Sequence, residues 1–224
     1  LNNVCDEIKS DSLDRIIAYR GKKRWVKKYT KLELPKQIPK PILLKDKGVY
    51  LITGGLGNVG LLLANYIAKR VKANIILMGR SEFLAEDKWS SYLKENEADA
   101  NDITSLKINR LQEIKALGSD VKIIRADVSD QGQMTDVLSK LKQEYGEING
   151  VVHSAGALNQ ELFLPLNETD KSNCEKHFQP KVQGTLSLSN SLNEVLADKP
   201  LDFCILMSSL SAVMGGLNFS AYSA

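Results

Sequence analysis

The chain has 224 residues, of which 43% are apolar and 25% are charged, so it can bury the core of one large domain. Its formal net charge of +3 argues against a strong polyanion-binding field over the whole chain. The three cysteines are scattered and the two histidines lie far apart, which argues against a disulfide framework and a zinc site. We therefore expect a cytoplasmic protein without a metal.

The start of the chain differs from the rest. We expect the end of a helix over residues 12–18, and then two strands joined at Gly21-Lys22, the second over residues 24–29. Three prolines within residues 34–41 predict an extended linker. This pattern predicts a boundary after residue 41, with the main domain over residues 42–224.

From residue 48 onward, short apolar strands alternate with helical segments. The predicted strands are residues 49–53, 74–78, 121–125, 150–153 and 203–208. The predicted helices are residues 58–71, 107–117, 131–145 and 174–196, the last interrupted at Pro180, with a polar insertion over residues 82–105. Apolar strands separated by helices predict an α/β fold with a doubly wound parallel sheet, Rossmann-like, covered on both faces.

One uncharged stretch, residues 48–68, is long enough to cross a bilayer. Glycines at positions 54, 55 and 57 lie in its middle, and this density predicts a strand, a turn and a helix instead of one helix. We therefore expect no membrane partner.

A glycine-rich turn follows the first of these strands and opens a helix. Gly55, Gly57 and Gly60 match GxGxxG, whose glycines permit a tight turn, close approach of the backbone to a pyrophosphate, and close helix–strand packing. The helix N-terminus also offers free amides to phosphates. The turn predicts dinucleotide binding by Thr53, Gly55, Leu56, Gly57, Asn58, Val59 and Gly60.

The end of the second strand indicates which dinucleotide binds. A site selective for NAD usually places an acid here, whereas an arginine suits a 2′-phosphate. Arg80 lies twenty residues after Gly60, and Ser81 follows it. We therefore predict that NADPH binds in preference to NADH; the alternative is a solvated arginine at a strand end.

Two hydroxyl side chains near the end of the sequence suit carbonyl reduction. Such a reaction needs a donor that polarises the carbonyl, an acid that protonates the alkoxide, and a cation that tunes this acid. Ser209 follows the fifth strand, and Tyr222 lies thirteen residues later. This spacing is similar to that of short-chain dehydrogenases, although each residue alone could be a cap or a core residue.

Residues 207–224 resemble the matching segment of ketoreductase domains from modular polyketide synthases. Lys181 in Lys-Val-Gln-Gly resembles the lysine motif of those domains. Asp127-Val128 resembles their adenine-contacting pair, and Ser154-Ala155-Gly156 resembles their turn beside the nicotinamide ribose. Residues 18–26 resemble the end of the structural subdomain that precedes such reductases, and the polar insertion resembles that of the trans-acyltransferase type.

This resemblance implies NADPH-dependent reduction of a 3-oxoacyl thioester, carried by phosphopantetheine on an acyl carrier protein, within a synthase that holds neighbouring domains. Tyr222 would donate the proton, Ser209 would hold the carbonyl oxygen, and Lys181 would lower the pKa of the tyrosine. We expect His153 to pack in its turn and assign no role to His177. The family's asparagine, four residues after the tyrosine, falls beyond Ala224, so we expect a domain truncated at its C-terminus and preceded by a remnant of the structural subdomain.

Other functions stay open. The chain could be an inactive ketoreductase-like scaffold of a synthase or a free-standing short-chain carbonyl reductase. Basic residues interleaved with Trp25 and Tyr29 could also bind single-stranded nucleic acid. We expect instead a solvated strand pair with both aromatic rings turned to the core and no nucleic-acid partner; some of its charge could meet an acidic carrier protein.

Overall fold

The computed structural model describes residues 2–10, 12–14, 16–33, 43–97, 99–157 and 159–224. They fall into two compact units, one within residues 1–40 and the other within residues 41–224. The linker predicted over residues 34–41 lies outside the described residues.

The smaller unit consists of helix α1 (Asn2–Ile8) and an antiparallel hairpin of β1 (Ile17–Arg20) and β2 (Lys23–Val26). Gly21 has a φ of 62° at the hairpin turn, a conformation that glycine adopts without strain. Glu7 accepts hydrogen bonds from the Tyr19 hydroxyl at 2.6 Å and from Arg24 at 2.8 Å. The Arg24 hydrogen bonds, followed by that of Tyr19, lower the pKa of Glu7 to about 2. These contacts fasten α1 to the hairpin.

The structure corrects two predictions for this unit. The helix predicted over residues 12–18 is wrong, because Ile17 and Ala18 pair with Val26 and Trp25 in the hairpin. The prediction that both aromatic rings turn to a core is also wrong, since Trp25 is 54% exposed and Tyr29 is 72% exposed. One short helix and two short strands bury too little surface to cover these rings.

The larger unit is built on a five-stranded parallel sheet with the strand order β5-β4-β3-β6-β7. Its strands are β3 (Val49–Thr53), β4 (Asn74–Gly79), β5 (Asp120–Arg125), β6 (Gly150–His153) and β7 (Phe203–Leu206). Its helices are α2 (Asn58–Ala68), α3 (Trp89–Glu95), α4 (Ile103–Ala116), α5 (Gln131–Tyr145), α6 (Lys171–Phe178), α7 (Gly184–Val195), α8 (Ser211–Met214) and α9 (Ser220–Ser223), with 3₁₀ turns at Glu86–Lys88 and Gln160–Leu162.

Two apolar cores lie on opposite faces of this sheet. Strand residues alternate between them, so that Leu51 and Ile76 pack with α5 and α7, whereas Ile52 and Leu77 pack with α2, α3 and α4. The predicted doubly wound parallel sheet is therefore confirmed. Within the described ranges, no helix is long and apolar enough to cross a membrane.

Two helix boundaries depend on local chemistry. Helix α4 starts at Ile103, four residues before the predicted position, because the Asp102 carboxylate caps it by accepting the Ser105 backbone N–H. The predicted interruption at Pro180 takes the form of a π-helical turn, Gln179–Gln183, between α6 and α7. Proline lacks an N–H and disrupts the regular ladder of an α-helix, so a π turn here is consistent with its chemistry.

Candidate active site

The residues predicted to bind the cofactor gather at one edge of the parallel sheet. Thr53 ends β3, Arg80 and Ser81 follow β4, and Ser154 follows β6. Asp127 and Val128 come two and three residues after the end of β5, and Ala155 and Gly156 follow Ser154. Because all five strands are parallel, their carboxyl ends share this edge, which is where ligands bind in open α/β sheets.

Of the three glycines of the GxGxxG motif, two are packed and one is open. A Cβ atom on Gly55 would lie 2.7 Å from both the Ile52 carbonyl oxygen and the Leu77 Cα, and one on Gly60 would lie 2.6 Å from the Gly54 carbonyl oxygen. A Cβ on Gly57 would meet only that Gly54 oxygen, at 3.2 Å. The outer side of Gly57 is therefore open to a close ligand.

The start of α2 adds hydrogen-bond donors to this open surface. Gly57 is the N-cap residue and has no side chain, so no side-chain bond satisfies the first helical N–H groups. The amides of Asn58, Val59 and Gly60 have no acceptor within the helix, because the first intrahelical bond is the one that the Leu61 N–H donates to the Gly57 carbonyl. Half-buried Leu56 anchors the turn in the core that contains α2. The turn thus fits the pyrophosphate of a dinucleotide.

A buried hydrogen-bond chain connects this turn with the segment that carries Lys181. His153 Nε2 lies 3.0 Å from the Pro180 carbonyl oxygen, which can only accept, so this nitrogen carries the proton. His153 Nδ1 is then an acceptor, and the Thr53 hydroxyl donates to it at 2.6 Å. Burial, and then the charge of Lys181, lowers the pKa of His153, in keeping with a neutral ring. His153 is 1% exposed, so the ring is packed in its turn.

The turns after β5 and β6 are fixed by their own hydrogen bonds. One Asp127 carboxylate oxygen accepts from the Ser129 N–H at 2.9 Å and from its hydroxyl at 2.6 Å. Val128 is buried next to Gly184, where a Cβ would come within 2.9 Å of a Val128 methyl. The Ser154 hydroxyl donates to the Thr53 carbonyl at 2.7 Å. Both turns thus have defined positions at the sheet edge.

Lys181 and Ser209 are linked to the end of β7. The Lys181 ammonium, on the π-helical turn, donates to the Met207 carbonyl oxygen at 2.9 Å. Burial lowers the pKa of Lys181 below its usual value. Ser209 Oγ accepts from the Ser211 N–H at 3.2 Å and from the Ser211 hydroxyl at 2.8 Å. The Ser209 hydroxyl hydrogen therefore stays available to donate.

A cleft of about 200 Å³ brings Lys181, Ser209 and Tyr222 together, and Gly156 lines it as well. The Tyr222 ring packs against Phe163, Phe219 and His177, with centroid distances of 5.4, 5.6 and 5.9 Å. The three predicted catalytic residues thus share one cavity with a member of the predicted cofactor set.

Sequence reasoning missed the side chains that support Tyr222. The sequence indicates no role for His177, yet this residue lines the cleft, and its Nε2 donates to the Leu162 carbonyl at 3.0 Å. Asn173, one turn earlier on α6, donates to the same carbonyl at 2.9 Å. These two bonds hold the turn next to Phe163. No local pattern indicates such contacts, because they join distant parts of the chain.

Comparisons with known proteins match this chain to one family over most of its length. A family model described as "KR domain" matches residues 48–224. The chain is 32% identical to polyketide synthase PksM of Bacillus subtilis (strain 168) over 212 residues, which are 95% of this chain and 4% of that protein. It therefore spans only a small part of this curated relative.

Two solved structures show the same architecture. A crystal structure of a ketoreductase domain from the bacillaene assembly line is 32% identical with a TM-score of 0.76, covering 99% of this chain and 46% of that one. A crystal structure of NAD⁺-bound xylitol dehydrogenase is 17% identical with a TM-score of 0.61, covering 80% of this chain and 59% of that one. The second likeness concerns the fold alone.

Proposed function

Because the chain belongs to the KR domain family, we propose that it catalyses the NADPH-dependent reduction of a 3-oxoacyl thioester to a 3-hydroxyacyl thioester in polyketide biosynthesis. The cleft that Lys181, Ser209 and Tyr222 share is the observation that carries this proposal. The polyketide synthase and ketoreductase names of its relatives support the reaction class.

The proposed cofactor site lies at the carboxyl ends of the parallel strands. The open side of Gly57 and the first amides of α2 would hold the pyrophosphate, and Asp127-Val128 would contact the adenine. Ser154-Ala155-Gly156 would lie beside the nicotinamide ribose. Exposed Arg80, with Ser81, would bind the 2′-phosphate, which favours NADPH. The nicotinamide of this cofactor would supply hydride when bound.

The chain's own residues would orient the ketone and deliver the proton. The free hydrogen of the Ser209 hydroxyl would donate to the carbonyl oxygen, and the Tyr222 hydroxyl would transfer its proton to the alkoxide. The Lys181 ammonium would stabilise the tyrosinate left behind. Its bond to the Met207 carbonyl holds it at the strand end that leads to Ser209.

We also propose that the substrate arrives on the phosphopantetheine arm of an acyl carrier protein, in the cytoplasm, within a synthase that supplies neighbouring domains. Residues 1–41 would be the end of the structural subdomain, and residues 42–224 the NADP-binding catalytic domain. The chain's small share of PksM supports a place in a larger protein.

Exposed charge on the hairpin unit supports carrier-protein docking. Lys27 and Lys28 are exposed beside the exposed rings of Trp25 and Tyr29, and carrier proteins of this kind are expected to be acidic. The pair of substitutions Lys27→Glu and Lys28→Glu should abolish the salt-sensitive part of carrier-protein binding measured by calorimetry. Unchanged binding at low and high salt would remove this part of the proposal.

Substitution of the tyrosine tests the reaction itself. Tyr222→Phe should lower kcat for a 3-oxoacyl thioester by about 10²- to 10⁴-fold, because it removes the proton donor and leaves the ring packing intact. The Kd for NADPH should change by less than about twofold, since the hydroxyl is not assigned to cofactor binding. Tyr29→Phe, on the hairpin unit, is the matched control. A Tyr222→Phe variant with wild-type kcat would refute the assignment.

A further inference from the structure

A second arginine lies beside Arg80 at the sheet edge. The register of β4 and β5 pairs Gly79 with Arg125, which places Arg125 next to the residue that follows β4. Arg125 Nε donates to the Arg80 carbonyl oxygen at 3.2 Å. This bond holds the Arg125 guanidinium against the Arg80 backbone, so the two residues are neighbours at one corner of the sheet.

The Arg125 guanidinium is only weakly neutralised. Its one carboxylate partner among the described residues is Glu82, with 3.7 Å between Nη1 and Oε2. The Arg125 and Glu82 side chains are 68% and 85% exposed, so this pair is solvent-screened and contributes little to stability. Glu86, four residues after Glu82, is paired with Lys115 instead. Arg125 therefore keeps most of its capacity to bind an anion.

The surroundings of Arg125 suit a compact polar anion. Arg125 and Ser81 line one groove of about 280 Å³, and Trp89, Ile123 and the carboxylate residues Glu82 and Glu86 line it as well. A serine hydroxyl and a guanidinium fork are donors that match phosphate oxygens. Val121 and Ile123 precede Arg125 on the same face of β5 and pack on the apolar core, which limits how far the strand carrying Arg125 can move.

We propose that Arg125 is a specificity-determining residue that binds the 2′-phosphate of the cofactor together with Arg80 and Ser81, and that Glu82 competes with this phosphate for Arg125. This inference rests on the proposed use of NADPH and adds one phosphate-binding residue from the neighbouring strand, β5. It assigns recognition of the 2′-phosphate to the ends of two adjacent strands, β4 and β5.

Binding of two nucleotide fragments by the 224-residue chain tests the proposal by isothermal titration calorimetry. The probes are 2′,5′-ADP, which carries the 2′-phosphate, and 5′-AMP, which lacks it. Arg125→Ala should weaken 2′,5′-ADP binding by about tenfold, the loss of one charge-assisted contact, and leave 5′-AMP binding unchanged. Glu82→Gln should tighten 2′,5′-ADP binding by about twofold, because a competing carboxylate is removed.

Arg110→Ala is the matched control, since Arg110 is an exposed arginine on α4 and should leave both affinities unchanged. A wild-type chain that binds 2′,5′-ADP no better than 5′-AMP would contradict the proposed NADPH preference and the inference with it. If the wild-type chain prefers 2′,5′-ADP, and folded Arg125→Ala keeps that preference within twofold, the inference on Arg125 is overturned while the NADPH proposal stands. Circular dichroism establishes that each variant is folded.

Discussion

Two glycines of the same turn should respond to one added methyl group in opposite ways. In Gly55→Ala the new Cβ would lie 2.7 Å from the Ile52 carbonyl oxygen and from the Leu77 Cα. Both obstacles are backbone atoms of central strands, so the clash needs a shift of the sheet, and overpacking of this kind costs about 1–3 kcal/mol. Gly55→Ala should therefore lower the free energy of unfolding by that amount.

Gly57→Ala should spare the fold and impair the nucleotide site. Gly57 has a φ of −78°, which alanine adopts freely. Its Cβ would meet only the Gly54 carbonyl oxygen at 3.2 Å, and replacing a glycine N-cap costs less than about 1 kcal/mol. The methyl would occupy the surface assigned to the pyrophosphate, so we expect about a tenfold weaker Kd for NADPH, equivalent to about 1.4 kcal/mol.

Urea unfolding and NADPH fluorescence titration measure the two quantities on each variant. The expected pattern is a destabilised Gly55→Ala chain and a stable Gly57→Ala chain that binds NADPH weakly. A Gly57→Ala variant with wild-type affinity would refute the assignment of this turn to the pyrophosphate. A Gly55→Ala variant as stable as the wild type would refute the packing argument.

Three further substitutions test the hydrogen bonds and charges of the larger unit. In the pH profile of kcat, activity should fall as the pH rises through the pKa of Lys181, which is below the usual 10.5. In Lys181→Arg the side chain stays charged, so this fall in activity should move to higher pH; a fall at the same pH would contradict the role of the charge. Thr53→Val should lower the free energy of unfolding by about 1–3 kcal/mol, because it leaves the buried Nδ1 of His153 without a hydrogen-bond donor. Thr53→Ser keeps the hydroxyl that donates to this nitrogen, so equal urea midpoints for the two variants would refute this reasoning. The Lys45 hydrogen bond lowers the pKa of Asp202 in the folded chain, so the ionised carboxylate stabilises the fold fully above about pH 5. This stabilisation is lost as the pH falls through about 3.9, the unfolded pKa, and then through the lower pKa of the folded state. Asp202→Asn should therefore show a smaller drop in urea midpoint from pH 7 to pH 3 than the wild type, and an equal drop would contradict this reasoning.

The sheet could be predicted because each strand carries its own local signal. Residues 49–52 form an apolar run that ends at Thr53, and Val151-Val152 lie between Gly150 and His153; the structure places β3 and β6 over residues 49–53 and 150–153. Helix α5 likewise starts and ends as predicted, since Asp130 caps its first turn and Gly146 ends it with a φ of 80°. Parallel pairing then follows from the alternation of strands and helices.

Features that depend on distant contacts could not be predicted in the same way. Ile17 joins a strand because it pairs with Val26, and a reading of residues 12–18 alone favoured a helix. The exposure of Trp25 depends on how little structure the hairpin unit offers to cover it. Within the site, the sequence order indicated Lys181, Ser209 and Tyr222 but not the packing of His177 and Phe163 on the tyrosine ring, which joins separate elements.

Cofactor oxidation coupled to product formation tests the central claim most directly. The protein is mixed with NADPH and a simple 3-oxoacyl thioester, the loss of NADPH absorbance is followed, and the thioester is analysed by mass spectrometry. The expected result is one 3-hydroxyacyl thioester formed for each NADPH consumed, with a lower rate when NADH replaces NADPH. Binding of NADPH without any oxidation or product would contradict the claim and leave a ketoreductase-like scaffold as the function.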